Sequence, residues 1–404
     1  MQIQPILAAL RRHRLATVLI ALEIALACAV LCNACFLIAN RLSAIHINSG
    51  VDEAALGTIQ LNGYEPDQAV DLNARVLSGL RAIPGVQSVS LLNSIPFGMR
   101  RGTAGLTLDA AGQRFGGVVE FYVGGPGSFR ALGLRLIRGR APVADDFQPF
   151  SGLLPETAQV QVTRALAEHL WPSVDPLGKQ IWVSKIHYTV VGIIDHLVRP
   201  DPTGWPTEKR EWSVFVPASS GKLLAGSYLI RAKPQDLDRV MRDAKAAIAK
   251  IAPDIVLDRD QSHTLNHLRH RIFQTDRAMT GLLIGVIVAL LGVTAFGIVG
   301  LASFWVAQRR KQIGVRRALG ATRADILHYF QTENFLIVTF GIVLGIILAV
   351  GINLTLMKFF ELPRLPLWYL PVGALALWLL GQLAVLGPAL HAAAVPPVEA
   401  TRSV

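Results

Sequence analysis

The three cysteines of this sequence have a spacing that could hold an iron–sulfur cluster. Cys28, Cys32 and Cys35 form C-x3-C-x2-C, a spacing that in radical enzymes lies on a loop where three thiolates converge on one cluster. Here it falls inside an apolar run, residues 15–39, where positions i, i+4 and i+7 form a stripe on a helix. Three thiolates in hydrocarbon would be very costly without polar support. We therefore predict that the cysteines are small packing residues.

Two glutamates stand where an acid could act inside a membrane. Glu23 is the one acid of the first apolar run, and Glu333 lies at the start of a later one. Intramembrane acids are functional candidates by default, as proton relays or as partners of polar groups. For both we expect an interhelical hydrogen bond, or a pairing with a base near the inner surface, rather than a proton relay.

No catalytic or nucleotide-binding pattern occurs elsewhere in the sequence. It has no G-x-x-x-x-G-K-[ST] loop, no H-E-x-x-H or G-x-S-x-G element, and no Cys/His cluster at zinc spacing. His263, His267 and His270 fall at helical spacing, which favours a solvated helix face over a metal site. We expect no catalytic residue, no cofactor and no metal, and so a protein that is not an enzyme.

Four apolar runs would position these residues. They cover residues 15–39, 279–307, 335–357 and 365–390. Each exceeds the ~20 helical residues that cross a hydrocarbon core of ~30 Å, and only helices satisfy their backbone within a single span. Charged residues make up 17% of the chain, against about 25% in soluble domains, so helices buried in a soluble core are a poor alternative.

The bases indicate how these spans are oriented. Arg11, Arg12 and Arg14 precede the first run, and six more bases lie between the second and third. Short loops rich in Lys and Arg stay cytoplasmic, while long domains cross largely regardless of charge. We predict cytoplasmic N- and C-termini. The net charge of +11 then reflects topology and contact with membrane lipid, with no nucleic acid as partner.

The polar stretch between the first two runs is predicted to be a folded domain. Residues 41–277 hold 27 Lys and Arg with 23 Asp and Glu, a charge density normal for a soluble domain. The fold class is therefore an α-helical integral membrane protein with four transmembrane helices plus a large mixed α/β extracytoplasmic domain inserted between helices 1 and 2. The first run, about 25 residues long, is interpreted as an uncleaved anchor because a signal peptide has a shorter apolar region.

The predicted division of the chain has nine parts. They are a cytoplasmic N-terminus at 1–14, transmembrane helix 1 at 15–40, a periplasmic α/β core domain of two lobes at 41–260, a stalk with transmembrane helix 2 at 261–307, a cytoplasmic coupling segment at 308–325, transmembrane helix 3 at 326–357, a short periplasmic loop at 358–364, transmembrane helix 4 at 365–390 and a cytoplasmic tail at 391–404.

Short β-rich runs bounded by turn residues alternate with helical spacing in the outer domain. We predict helices at 66–82, 164–170 and 235–251. Strands are predicted at 57–61, 86–92, 118–123, 159–162, 180–183, 187–194, 212–216 and 228–231. The segment from about 125 to 220 would be an inserted lobe, and residues 98–127 a hairpin and loop. Residues 261–277 lack Gly and Pro, which favours a helix continuous with the second span over a flexible linker.

The segment at 308–325 combines an apolar and a basic face. Val315, Ala318, Leu319 and Thr322 recur at helical spacing, while a separate face carries Arg309, Arg316 and Arg323. Gly320 is a plausible terminator, and Thr322 with Asp325 forms a capping box for the next helix. These signals predict a short amphipathic helix at the inner surface; on periodicity alone, a plain basic interfacial helix is equally compatible.

At this segment the sequence resembles the MacB/FtsX-type permease family of ABC transporters. The stretch at 309–321, RRKQIGVRRALGA, is similar to the family pattern R-R-x-E-I-G-I-R-R-A-L-G-A, with Gln312 in place of the usual Glu. Residues 129–139 and 170–192 resemble parts of the family's periplasmic core domain. The ending at 387–400 resembles P-A-x-x-A-A-x-x-x-P-V-E-A, although Leu390, His391, Val395 and Pro396 depart from it.

The resemblance, which covers nearly the whole chain, implies a permease subunit without catalysis of its own, located in a bacterial inner membrane. It implies an ABC-type ATPase as partner in two copies and a second permease, in a homodimer or a related heterodimer. A periplasmic adaptor and an outer-membrane channel are further expected partners. The residues that would contact the ATPase are Ile313, Gly314, Val315, Arg316, Arg317, Ala318, Leu319 and Gly320.

The same resemblance implies a mechanism called mechanotransmission. ATP-driven closure of the ATPase would tilt the spans and move the outer domain, and the cargo would be a peptide, a drug-like compound, a siderophore or a lipoprotein. A cell-division-type regulatory permease, which signals to an extracytoplasmic hydrolase without transport, is the alternative. The size of the outer domain favours the exporter.

Overall fold

The structure, a computed structural model, describes residues 14–149, 154–219, 221, 224–360 and 364–394. Expectations for Arg11, Arg12 and the tail beyond residue 394 therefore lie outside the described residues. The helices are α1 (Arg14–Ile45), α2 (Ala69–Arg81), α3 (Ser128–Leu132), α4 (Arg164–Leu170), α5 (Leu237–Ile251), α6 (Leu265–Ile272), α7 (Gln274–Ala318), α8 (Arg323–Phe360) and α9 (Tyr369–Ala394).

The strands lie between α1 and α6. They are β1 (Leu56–Asn62), β2 (Val86–Leu91), β3 (Thr103–Thr107), β4 (Phe115–Gly124), β5 (Leu136–Gly139), β6 (Thr157–Thr163), β7 (Gln180–Val183), β8 (Ile186–Ile194), β9 (Ser213–Pro217), β10 (Ser227–Ala232) and β11 (Val256–Leu257). The chain divides into two compact units, a helical unit of Met1–Ser43 with Asp276–Val404 and a core-domain unit of Ala44–Thr275.

Within the described residues, four helices are long and apolar enough to cross a membrane, namely α1, α7, α8 and α9. This confirms the four spans predicted from the apolar runs. Helix α7 is longer than its apolar run and continues without interruption to Ala318. The basic residues after position 307 are good helix formers, and no Gly or Pro interrupts them until Gly314, which is tolerated inside the helix.

The cysteines pack between helices, as predicted. A Cβ atom added to Gly345 on α8 would lie 2.4 Å from the Cβ of Cys28, and one added to Gly373 on α9 would lie 2.5 Å from the Sγ of Cys32. Both cysteines are buried. The glycines thus let α8 and α9 approach α1 closely, which is the usual way to pack helices in a membrane.

The first sheet of the core-domain unit has the strand order β11-β1-β10-β2 and is antiparallel throughout. Apolar side chains of α2 and α5 recur at helical spacing and are buried against it. Among them are Leu72 and Val76 of α2 and Val240 of α5, which form one core cluster with Ile59 and Tyr228 of the sheet.

The second sheet has the order β5-β8-β6-β9-β4-β3-β7, and β7 also pairs with β8. This second pairing closes six strands on themselves, so that β5 is added outside the ring as a short edge strand along β8. The pairs β4–β9 and β6–β8 are parallel, and the other pairs are antiparallel. Helix α4 follows β6 directly and buries Leu166 and Leu170 in the core of this sheet.

Each predicted strand corresponds to an observed one, and the hairpin predicted within residues 98–127 corresponds to β3 and β4, whereas β5 and β11 were not predicted. The second lobe begins earlier than expected, at β3 rather than near residue 125, because the glycine-rich stretch forms the β3–β4 hairpin with a ten-residue β4. The prediction of one continuous stalk helix is wrong. Helix α6 ends before Phe273, whose side chain is fully buried in the core-domain unit with its ring 5.9 Å from that of Phe97.

Candidate functional site

The turn between α7 and α8 is closed by two hydrogen bonds that satisfy the last carbonyls of α7. The N–H of Gly320 donates to the carbonyl of Arg317 at 3.2 Å, and the N–H of Ala321 donates to that of Arg316 at 3.0 Å. Gly320 has φ of +101°, which an L-residue rarely adopts. This pair of bonds is a Schellman motif, and it confirms Gly320 as the helix terminator.

The start of α8 is capped as the sequence predicts. The hydroxyl of Thr322 accepts a hydrogen bond from the N–H of Asp325 at 3.2 Å, while the Asp325 carboxylate accepts one from the N–H of Thr322 at 2.9 Å. Both bonds together form a capping box. The turn therefore has one defined conformation, in which residues 319–322 connect two long helices.

The expected short amphipathic helix is not a separate element. Residues 308–318 form the last turns of the 45-residue helix α7, because no residue before Gly320 ends the helix. The apolar and basic faces that the spacing predicts therefore lie on an extension of the second span.

Two of the expected coupling residues are buried inside the helical unit. Ile313 is 4% exposed, and Gly314 is buried as well. Ile313 belongs to a cluster of apolar residues on α8 and α9, which consists of Ile326, Phe330, Ala389, Ala392 and Ala393. Ile313 and Gly314 thus support the turn from behind and are not available to a partner. The side chain of Arg317, half-buried, donates from Nη1 to the carbonyl of Ala393 at 3.1 Å.

The other five expected coupling residues are exposed. Leu319 at the tip of the turn is 84% exposed, and Val315 one turn earlier is 49% exposed. Arg316, Ala318 and Gly320 are also exposed. The guanidinium of Arg316 lies 5.0 Å from the ring centre of Tyr329 on α8. The turn therefore presents two apolar side chains beside basic residues, on a rigid support.

An ion pair between the partly exposed Arg309 and the buried Glu333 joins α7 and α8 behind the turn. Arg309 Nη1 lies 2.8 Å and 3.1 Å from the two carboxylate oxygens of Glu333, whose side chain is 1% exposed. Arg309 also donates to the Tyr329 hydroxyl at 3.4 Å and lies 5.6 Å from the Trp305 ring centre. The expected pairing of Glu333 with a base is confirmed.

Sequence reasoning named Arg309 and Glu333 separately and missed that they are partners. Arg309 lies nine residues before the end of α7, and Glu333 lies ten residues after the start of α8. In an antiparallel hairpin, residues at equal distance from the turn lie opposite each other, so this near-equality was the available signal.

Glu23 does not make the expected interhelical hydrogen bond. Its Oε1 atom is buried and has no hydrogen-bond partner among the residues that the structure describes. The carboxylate faces Gly297 on α7, where an added Cβ would lie 2.9 Å from Oε2. Because glycine has no side chain, Gly297 offers the Glu23 carboxylate no hydrogen-bond donor.

Within the described ranges, no three His, Cys, Asp or Glu side chains are grouped so that they could hold a metal ion. The rings of His263 and His267 stack with their centres 4.0 Å apart. His270 has a further interaction of its own.

Two family models match the chain. The MacB-like periplasmic core domain matches residues 18–247, and the FtsX-like permease C-terminal domain matches residues 284–397. The first model alone covers more than half of the chain. The protein therefore belongs to the family of permeases with a MacB-like periplasmic core domain. Of its four long apolar helices, one precedes the α/β part of the sequence and three follow it, which matches the family fold.

Curated relatives are similar to this chain at low sequence identity. The macrolide export ATP-binding/permease protein MacB of Hahella chejuensis is 24% identical over 316 residues, which cover 76% of this chain and 45% of the relative. The probable syringafactin export ATP-binding/permease protein SyfD of Pseudomonas syringae pv. syringae is 27% identical over 185 residues, 44% of this chain and 27% of the relative. The chain thus spans less than half the length of these relatives.

Among solved structures, the periplasmic region of MacB from Actinobacillus actinomycetemcomitans aligns with 57% of this chain and 97% of its own, at a TM-score of 0.37 and 14% identity. The extracellular domain of the noncanonic ABC-type transporter YknZ from Gram-positive bacteria aligns at a TM-score of 0.32.

Proposed function

We propose that the protein is the permease subunit of a MacB-type ABC transporter, which couples ATP hydrolysis by a separate ATPase to motion of its periplasmic domain. In this proposal the cargo is a peptide, a drug-like compound or a lipoprotein, and the spans need not carry it. The permease pairs with a second permease and with two ATPase copies. Its termini and the turn after α7 face the cytoplasm, and the core domain faces the periplasm.

The observation that carries the proposal is the form of the turn at residues 319–322. A partner that binds and releases during a catalytic cycle needs an exposed apolar contact, and Leu319 is 84% exposed. Such a partner also needs a contact residue that keeps its position relative to the helices when the partner moves. The Schellman motif, the capping box and the buried Ile313 hold Leu319 on two long helices, so that a displacement at the turn is passed along α7.

Two further observations support the proposal. The relatives named above are described as ATP-binding/permease proteins for export, which agrees with a partnership with an ABC ATPase. The exposed arginines beside Leu319 suit an acidic rim around an apolar groove on that partner, since complementary charge favours specific association.

The test is the substitution Leu319→Asp in the full chain, co-purified with the ABC-type ATPase that the proposal assigns to it. We expect the variant to enter the membrane normally but to lose binding of the ATPase or stimulation of its activity, because a carboxylate would be desolvated in an apolar groove. The matched control is Met99→Asp, which places the same charge at a residue 66% exposed in the core-domain unit.

The proposal fails if Leu319→Asp binds and stimulates the ATPase as well as the parent chain does. If coupling is lost and peptidoglycan hydrolase activity changes while no cargo is exported, the regulatory alternative replaces the exporter.

A further inference from the structure

A cavity of about 580 Å³ opens beside the second sheet of the core-domain unit, between β5, α4 and the loop after α4. Its apolar lining consists of Ile137, Ala167, Trp171, Val174 and Ile193. Sites for small organic molecules are mostly apolar clefts of roughly 300–1,000 Å³. The cavity is thus of a size and character that suit such a ligand.

The loop that forms one wall is held in place. Asp175 accepts a hydrogen bond from the side chain of Arg138 on β5 at 2.8 Å and another from the N–H of Leu177 at 3.1 Å. Within the same loop Ser173 has φ of +63°, a conformation that non-glycine residues adopt only where the surroundings hold them in it. The cavity is therefore already formed without a ligand.

One of the charged side chains that line the cavity has no partner of opposite charge. Arg138 pairs with Asp175, and Arg164 pairs with Asp195. Arg164 lies four residues before Glu168 on α4, where it would ordinarily be the partner of that glutamate. Because Arg164 bonds Asp195 instead, Glu168 makes no ion pair with any residue in the described part of the chain. Asp195 also lies 3.5 Å from Arg135, so that among the charged residues lining the cavity only the exposed Glu168 has no ion pair within the described part of the chain.

Glu168 and Trp171 both line the cavity and lie three residues apart. An indole face attracts cations, and a nearby carboxylate adds a counter-ion. We propose that the cavity binds a hydrophobic organic cation, with Glu168 as its counter-ion and Trp171 and the apolar residues in contact with its body. That this ligand is the cargo rests on the proposed permease function; the binding itself does not.

The two arginines that line the cavity, Arg138 and Arg164, could instead favour an anionic ligand. Each guanidinium already has a carboxylate within hydrogen-bond distance, so an anion would have to compete with Asp175 or Asp195. A cation meets no such competition at Glu168. The observations therefore favour the cation, and an anion is an outcome that the test must be able to detect.

The test uses two probes of nearly the same shape and opposite charge, tetraphenylphosphonium and tetraphenylborate. Each is dialysed to equilibrium against the full chain in lipid nanodiscs, with binding to empty nanodiscs subtracted. We expect the cation to bind more tightly than the anion. Glu168→Gln should weaken binding of the cation about fivefold, the upper size of one exposed ion pair, and should leave binding of the anion unchanged.

Two more variants complete the experiment. Trp171→Leu keeps an apolar wall but removes the ring, and we expect it to weaken the cation as well. Glu156→Gln removes an exposed carboxylate outside the cavity and should have no effect. Equal binding of both probes, tighter binding of the anion, or unchanged cation binding by Glu168→Gln would overturn the site. Because no ATPase is present in this assay, such a failure leaves the proposed permease function standing.

Discussion

Two regions of the molecule each bury a glutamate near an arginine, and they stabilise its charge in different ways. In the helical hairpin, Arg309 and Glu333 bond directly at 2.8 Å. In the core-domain unit, Glu120 and Arg199 are each 1% exposed, and although both belong to the described residues no direct ion pair joins them. The two regions therefore show how a helical hairpin and an α/β domain each stabilise a buried charge.

In the core-domain unit the neighbouring backbone and hydroxyl groups satisfy the glutamate. The Glu120 carboxylate accepts hydrogen bonds from the N–H of Gly102 and from the hydroxyl of Thr103, the latter at 2.9 Å. Burial nevertheless raises the pKa of Glu120 above its ordinary value of 4.5, while these bonds and the charge of Arg199 act in the opposite direction.

The arginine of the core-domain unit also bonds to backbone groups, although its Nη1 atom has no hydrogen-bond partner among the described residues. Arg199 donates to the carbonyl of Lys209 at 2.8 Å and to that of Val118, and its guanidinium lies 3.9 Å from the ring centre of Trp205. Burial lowers the pKa of this arginine, and the charge of Glu120 opposes that change.

The difference follows from how each fold uses its backbone. Inside a helix nearly every N–H and C=O is already paired along the helix, so the hairpin has only side chains to offer, and a charge must meet the opposite charge. Loops and strand ends leave backbone groups unpaired, so the core-domain unit can satisfy each charge separately. We therefore expect strong energetic coupling in the first pair and weak coupling in the second.

The largest expected effect is at the hairpin. Arg309→Ala should lower the free energy of unfolding by about 3–5 kcal/mol, because it removes the ion-pair partner of the buried Glu333 carboxylate. Thermal or denaturant unfolding of the full chain in detergent measures this loss. The matched control, Arg310→Ala, removes the exposed neighbouring arginine and should cost less than about 1 kcal/mol.

The double variant Arg309→Ala with Glu333→Ala sharpens the test. We expect it to lose clearly less stability than the two single variants together, since no unpaired charge remains. Additive losses would mean that the two side chains do not depend on each other, and the contrast with the core-domain unit would then disappear.

A smaller effect is expected in the core-domain unit from Glu120→Gln. Below pH 4.5 the variant should be about 1–2 kcal/mol less stable than the parent, because the amide of Gln has two N–H donors where the protonated carboxyl of Glu120 has one O–H, so that one donor is left buried without an acceptor. A raised pKa in the folded state means that the folded chain binds more protons than the unfolded chain between 4.5 and that pKa. The parent therefore loses stability as the pH rises through this window.

The Gln side chain has no proton to lose in this range, so the difference in the free energy of unfolding between the parent and the variant should narrow as the pH rises. Unfolding curves measured at several pH values above and below 4.5 show the trend. A gap that widens with pH would contradict the raised pKa of Glu120.

The local features of the fold could be predicted from the sequence. Apolar run length predicts the four spans, and Gly320 with Thr322 and Asp325 predicts the turn, because these signals are read from a few adjacent residues. The extent of α7 could have been predicted as well. No residue ends the helix between the apolar run and Gly320, but the change from apolar to basic residues was interpreted as the boundary of a separate element.

Features that depend on distant parts of the chain could not be predicted. The closure of the second sheet depends on β7 pairing with both β3 and β8, and strand order is not encoded in the pattern of any one strand. The burial of Ile313 depends on α9, more than 70 residues later. The missing partner of Glu23 likewise depends on which residue of α7 happens to face it.

The smallest expected effect concerns His263, on the segment before α6. Burial lowers the pKa of His263 from 6.5 to about 4. Positive charge on Lys245, His267 and Arg271 acts in the same direction, and Asp260 opposes it. Here again no direct ion pair with His263 occurs within the described residues, so the group is kept neutral by its surroundings.

A lowered pKa in the folded state means that the unfolded chain binds the proton first. Stability should therefore fall as the pH is lowered from 6.5 to about 4, by about 1 kcal/mol once solvent screening of a partly exposed group is allowed for. His263→Gln should flatten this part of the pH profile of unfolding, and Lys245→Gln should reduce its slope in part. If the profile of His263→Gln coincides with that of the parent, then the loss of stability between pH 6.5 and about 4 arises from other groups. In that case, ionisable side chains that lack a direct ion pair affect the pH dependence of stability less than the comparison of the two regions implies.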